Sequence, residues 1–207
     1  MISQRIVYTD DFYYEPLSDA LMAAMEGISY PAFDSLEEEP AVAYEDLRYV
    51  HLLHYDFHGN VAEGELICNA SVAQDFVEIF HTLYQNMYRI EKILLIDVYG
   101  GDDTASMEDN NTSCFNYRTV EGSTSLSKHA LGLAIDINPF YNPYVTYPEG
   151  QVRISPRGSE IYADRSREFP YKIDENDLCY KLFTERGFLW GGNWNSMKDY
   201  QHFQKIT

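Results

Sequence analysis

The sequence predicts an α+β domain, and three observations carry that reading. Residues 71–87 repeat their apolar side chains at helical spacing. Short apolar runs at 65–68, 92–99 and 132–138, bounded by glycine and polar residues, read as strands. These signals do not alternate regularly along the chain, which argues against a parallel α/β sheet. A length of 207 residues suits one well-buried domain, and 45% hydrophobic with 23% charged residues is ordinary for a globular protein.

The elements follow in order. Ser18 before DALMAAMEG predicts a short capped helix that Gly27 ends. Residues 30–40, with two prolines and the acidic run Glu37-Glu38-Glu39, read as a solvated loop. Residues 44–58 alternate poorly and lead into a strand at 65–68. In the helix at 71–87, Val72, Phe76, Ile79, Phe80, Leu83 and Met87 form the apolar stripe, and His81 lies off it, exposed. KILLIDVY at 92–99 reads as a buried strand, and residues 100–113 as a long polar loop of the kind that often carries function. GLAIDIN at 132–138 is a further strand, and 141–150 an ordered surface loop. Residues 175–186 form a second helix, with Asp174 as N-cap and Gly187 as its stop. The tail from 187 suggests two short strands around a glycine turn.

Charge narrows the partners. A net charge of −18 leaves no basic surface for phosphates and excludes nucleic acid as a partner. No apolar run is long enough to span a bilayer, and MISQRIVYTDDFYYEP lacks the layout of a secretion signal. Cys68, Cys114 and Cys179 are widely spaced and contain no CxxC pair, so they read as buried free thiols.

Two anomalies point to chemistry. In Ser127-Lys128-His129-Ala130-Leu131-Gly132-Leu133-Ala134-Ile135-Asp136, an aspartate stands inside the apolar run LAIDI. A carboxylate between two isoleucines needs a charged partner or a metal, although an aspartate capping a strand end is the competing reading. Near the C-terminus, Asp199-Tyr200-Gln201-His202 sets an acid three residues before a histidine. Three protein ligands on zinc would leave a position for water, with a nearby carboxylate to take its proton. By itself an Asp-x-x-His is commonplace.

Together the two segments resemble the zinc D-alanyl-D-alanine carboxypeptidase and dipeptidase family, which shares its fold with the hedgehog signalling domain. The family pattern is Ser-x-His, Gly, Ala-x-Asp and a later acid-x-x-His; here it reads SKHALGLAID and DYQHF, with GFLWGGNW as the lead-in and FNYR at 115–118 upstream. The motifs cover roughly residues 113–207. The resemblance implies a hedgehog/D-Ala-D-Ala-peptidase-like fold, a small antiparallel sheet with helices packed on it. It implies one zinc ion on His129, Asp136 and His202, Asp199 as general base and Arg118 as the oxyanion partner. It implies a peptidase acting on peptidoglycan stem peptides. Asp199 and Phe203 stand where the carboxypeptidase and dipeptidase branches typically have Glu and Trp, and this pairing is more similar to the phage-type L-alanyl-D-glutamate endopeptidases. A catalytically silent, zinc-containing cell-wall-binding module is the alternative. A wall substrate suggests the cell envelope or secretion, with the cytoplasm left open.

The remaining candidates are weaker. Ser127, Trp190 and Trp194 are expected to contact substrate, with core packing as the rival for the tryptophans. Tyr141 and Tyr144 could form apolar walls. His51, His54 and His58 cluster, with His54 and His58 on a shared helix face, and suit a structural role near the site mouth better than a second metal. Asp97, Asp102 and Asp103 read as caps that could line the cleft. The whole chain is expected to be one domain, with 1–60 an N-terminal extension and 61–207 the peptidase core.

Overall fold

The computed structural model describes residues 4–32, 39–120 and 122–206. A four-stranded antiparallel meander opens the chain: β1 (Ile6–Thr9), β2 (Phe12–Pro16), β3 (Leu47–Tyr55) and β4 (Val61–Asn69), in that spatial order. Between β2 and β3 lies α1 (Asp19–Met25), capped by the Ser18 side chain, which accepts from the Leu21 N–H at 3.2 Å. The helix α2 (Ala73–Gln85) lies on this sheet and buries Phe76, Val77, Ile79, Phe80 and Leu83. Then come β5 (Lys92–Ile93), α3 (Asp103–Glu108) and β6 (Asn111–Thr112), with β5 and β6 forming a parallel two-stranded ladder. Next are β7 (Ala134–Asp136), β8 (Tyr144–Thr146), β9 (Arg153–Ser155), α4 (Leu178–Glu185), β10 (Phe188–Trp190), β11 (Lys198–Asp199) and β12 (His202–Lys205). They build two antiparallel three-stranded sheets, ordered β10-β12-β7 and β11-β8-β9. With four helices among the described residues, segregated from mainly antiparallel sheets, the fold is α+β.

An aromatic core ties the small sheet to the large one. Phe183 of α4 stacks on Phe203 of β12 with centroids 4.7 Å apart and meets Phe76 of α2 edge-on at 6.1 Å. All three are fully buried. Burying a phenyl ring contributes roughly 1.5–3 kcal/mol, so these contacts anchor β12 firmly against the helices.

Several expectations are corrected. Residues 47–55 form a nine-residue strand in which Val50, Leu52 and His54 face the core alternately. The histidine hides that alternation in the sequence; it is tolerated because its Nδ1–H donates to the Ile90 carbonyl at 2.9 Å. His54 and His58 therefore share no helix face: one is on β3, and the other is exposed in the turn that follows. The run at 92–99 yields only two strand residues and then a 3-10 turn over Ile96–Tyr99. There the Asn111 side chain takes the place of a neighbouring strand, accepting from the Leu94 N–H and donating to the Leu94 carbonyl. The polar loop at 100–113 contains α3, whose N-cap is Asp102, and also β6. The surface loop at 141–150 contains β8. Asp177 rather than Asp174 caps α4, accepting from the Cys179 N–H at 2.8 Å. Met87 lies beyond the end of α2 and is exposed, and His81 is half-buried with its ring edge-on to Phe12 and Tyr8. The three cysteines are buried free thiols, as expected. Glu37 and Glu38 of the acidic run, with most of the loop at 30–40, lie outside the described residues.

Candidate metal centre and its cleft

Strand alternation accounts for the odd aspartate. On β7, Ile135 and the following Ile137 turn into the core while Asp136 turns the other way. Its backbone is paired on one side with Ser113, whose carbonyl accepts from the Asp136 N–H at 2.9 Å. On the other side Asp136 lies directly opposite His202 in the antiparallel register of β7 with β12. Cross-strand partners project to the same face, so this register alone brings the two side chains together.

His129 arrives on a 3-10 turn, His129–Leu131, that Gly132 ends in the left-handed region at φ 67°. The turn is fastened to the end of β4: the Asn69 N–H donates to the Gly132 carbonyl at 2.9 Å, and the Asn69 side-chain amide donates to the Leu131 carbonyl at 3.2 Å. A Cβ on residue 132 would sit 2.5 Å from the Asn69 nitrogen, so both the conformation and the approach require glycine.

The three side chains converge. His129 Nε2 lies 3.2 Å from His202 Nδ1 and 3.3 Å from an oxygen of Asp136, and His202 Nδ1 lies 2.9 Å from the other. All three residues are buried. The remaining ring nitrogens are spoken for: His129 Nδ1–H donates to the Cys114 carbonyl at 2.5 Å, and His202 Nε2–H donates to Gln204 Oε1 at 3.0 Å. These outer bonds leave each histidine's inner nitrogen free to act as a ligand. Tetrahedral zinc with bonds of about 2.0–2.1 Å separates its ligand atoms by roughly 3.3 Å, close to the spacings seen here. Two imidazoles and a carboxylate are the donor set of a catalytic zinc site with an open position, and the residues fit that metal.

The electrostatics suit a cation. Burial by itself would raise the Asp136 acid, but the His129 charge and the hydrogen bonds of both histidines outweigh it and hold the carboxyl far below the usual range. Burial works against a charge on His202, yet the bond and charge of Asp136 raise it to about 9. Asp199, on β11, is pushed up to about 7, first by burial and further by Asp136, while the charge of His202 pulls the other way. Its Oδ1 is buried with no hydrogen-bond partner. Gly191 makes this placement possible: a Cβ there would lie 2.6 Å from the Asp199 carbonyl oxygen, which gives the WGGNW segment a physical reason.

A cleft of about 410 Å³ opens over the cluster. It is lined by His129, Asp136, Asp199 and His202, and also by Arg118, Ser127 and Trp194. Ser127 Oγ accepts from the His129 N–H at 3.2 Å, and the Trp194 ring lies 5.3 Å from that of His202. Trp190 is not among the lining residues; it packs on Tyr180, and its indole N–H donates to the Tyr200 carbonyl. Tyr144 lines the cleft, whereas Tyr141, His51, His54, His58, Asp97 and Asp102 do not. Asp103 lines it, the one of the three acids Asp97, Asp102 and Asp103 to do so, and Gln201 and Gln204 line it with no role expected of them. Gln204 had one signal, its place two residues after His202 on the same strand face.

No curated protein and no solved structure matched the chain. Residues 121–205, which carry His129, Asp136, Asp199 and His202, match the family model described as D-alanyl-D-alanine carboxypeptidase. That match covers less than half of the chain; over residues 121–205 it bears out the resemblance to the zinc D-alanyl-D-alanine peptidase family drawn from the motifs.

Proposed function

We propose that the protein is a zinc-dependent peptidase of hedgehog/D-Ala-D-Ala-peptidase-like fold that hydrolyses peptide bonds in peptidoglycan stem peptides. The observation that supports this most is the convergence of His129, Asp136 and His202 at the floor of an open cleft, with an unpartnered Asp199 carboxylate oxygen beside them. His129 through Nε2, His202 through Nδ1 and the Asp136 carboxylate would hold the ion. When bound, zinc supplies Lewis acidity to the scissile carbonyl and to the attacking water. Asp199 Oδ1 receives the proton of that water and returns it to the departing amine, work suited to a carboxylate whose proton affinity lies near neutrality. Arg118 faces the negative charge that develops on the carbonyl oxygen. Ser127 holds the His129 turn, and Trp194 offers an apolar wall to the peptide. Trp190 serves from behind, as packing.

The bond within the stem peptide is set by the two branches of the resemblance. Asp199 favours the L-alanyl-D-glutamate endopeptidase type. Phe203 bears on this only indirectly, because its ring is fully buried against Phe183 and does not line the cleft. A wall substrate suggests the cell envelope or secretion, with the cytoplasm left open; no helix among the described residues is long and apolar enough to cross a membrane.

Digestion of defined muropeptides by the zinc-loaded protein, read by mass spectrometry, tests the reading. Cleavage after L-alanine marks the endopeptidase, and loss of terminal D-alanine the carboxypeptidase. Intact muropeptides alongside stoichiometric zinc would overturn it in favour of a silent binding module. Asp199→Ala is expected to keep its zinc and lose at least a hundredfold in kcat, the usual size of a general-base contribution; near-normal turnover would remove Asp199 as the base.

A further inference from the structure

Arg118 does not stand alone at the cleft. Its Nη2–H donates to Asp103 Oδ2 at 2.7 Å, and both side chains are about one-third exposed on the cleft wall. Its Nε is buried with no hydrogen-bond partner. The segments around Asp103 and Arg118 are tied together at a second point as well. Two residues before Arg118, the Asn116 amide donates to the carbonyl of Gly101 at 3.1 Å, and Gly101 lies two residues before Asp103. Asn116 is itself buried and bonded through its backbone N–H to the His129 carbonyl. The Arg118 carbonyl accepts from the Ser127 N–H at 3.0 Å. Asp103 is presented by the first turn of α3, which the Asp102 cap fixes, and Thr104 and Met107 of the same helix line the cleft.

We propose that Asp103 is the positioning residue for Arg118: it grips one end of the guanidinium so that the rest of the fork is held toward the reacting carbonyl. This rests on the assignment of Arg118 as the oxyanion partner. A guanidinium is planar and rigid, so fixing one nitrogen fixes the directions of the other N–H bonds. Without the grip the long side chain samples several rotamers, and a preorganised charge becomes one that must reorganise during the reaction. The carboxylate also offsets part of the positive charge, so its benefit is orientation and not field strength.

A double-mutant cycle separates this role from a structural one. Asp103→Ala is expected to lower kcat about 10- to 100-fold with KM changed less than threefold. Asp103→Asn, which keeps an acceptor oxygen, is expected to recover most of that loss. In an Arg118→Ala background, Asp103→Ala is expected to add less than a twofold effect. Losses that multiply in the double variant, or Asp103→Ala within threefold of the parent, would overturn the proposal. Melting temperature and zinc content are followed in each variant, and a variant that fails to fold is replaced by Asp103→Asn. A parent without turnover would count against the proposed function instead. The positioning is then read from the arginine Nε–H resonance in 15N spectra: slow guanidinium rotation for Arg118 that becomes fast in Asp103→Ala supports it, and equal mobility in both overturns it.

Discussion

A histidine ligand depends on the group behind it. His202 turns Nδ1 toward the cluster because its Nε2–H is held by Gln204 Oε1, two residues along β12 on the same face. Gln204→Leu removes that acceptor and frees the ring to flip or change tautomer. Zinc affinity is expected to fall about 10- to 100-fold, as losses of such outer bonds do, and competition with a chelator of known affinity measures it. An unchanged affinity would show that β12 alone orients the imidazole. At this scale the sequence was most informative where a residue was chemically out of place. A carboxylate in LAIDI stands out in any reading, whereas the later Asp-x-x-His gains weight only beside it. Gln204 and the Cys114 carbonyl do not, because a glutamine and a backbone oxygen gain meaning only from what folding sets beside them.

At the scale of elements, legibility followed length and periodicity. α2 was readable because five of its buried side chains keep helical spacing over three turns. KILLIDVY was not, because an apolar run carries no period of its own, and the Asn111 side chain ends the strand after two residues by occupying Leu94. The turn that follows half-buries Asp97. One carboxylate oxygen accepts from Ser29 Oγ–H at 2.7 Å, and the other is buried with no partner. Burial accordingly raises the Asp97 acid above its ordinary value, against the pull of the Ser29 bond. A carboxyl whose folded value is raised stabilises the fold below the unfolded value of 3.8 and loses that contribution as pH rises through the folded value. Asp97→Asn keeps an acceptor for Ser29 and carries no charge. Its melting temperature is expected to exceed the parent's at pH 7, with the gap closing at pH 4 and below. A variant less stable at pH 7 but not at pH 4 would show that the Asp97 charge has a partner that outweighs its burial.

At the scale of the whole molecule, the proposed zinc site would also be a clasp. Its ligands come from a turn fastened to β4, from β7 and from β12, and β12 is packed through Phe203 onto α4 and thence α2. Residues so scattered along the chain do not form a site in the unfolded state, so zinc binding energy becomes folding energy. Free zinc at a hundred times its dissociation constant is expected to stabilise the protein by about 2.7 kcal/mol, reversibly with a chelator. The pH dependence has a definite sign. His202, raised to about 9 by Asp136, contributes to the metal-free fold below pH 6.5, and that contribution is lost as pH rises toward 9. The same proton must leave before zinc can take Nδ1, so binding strengthens over the range in which the bare cluster weakens. The zinc-induced rise in melting temperature should therefore grow from pH 6 to pH 8. A rise independent of pH would mean that the ion is held by groups other than His129, Asp136 and His202.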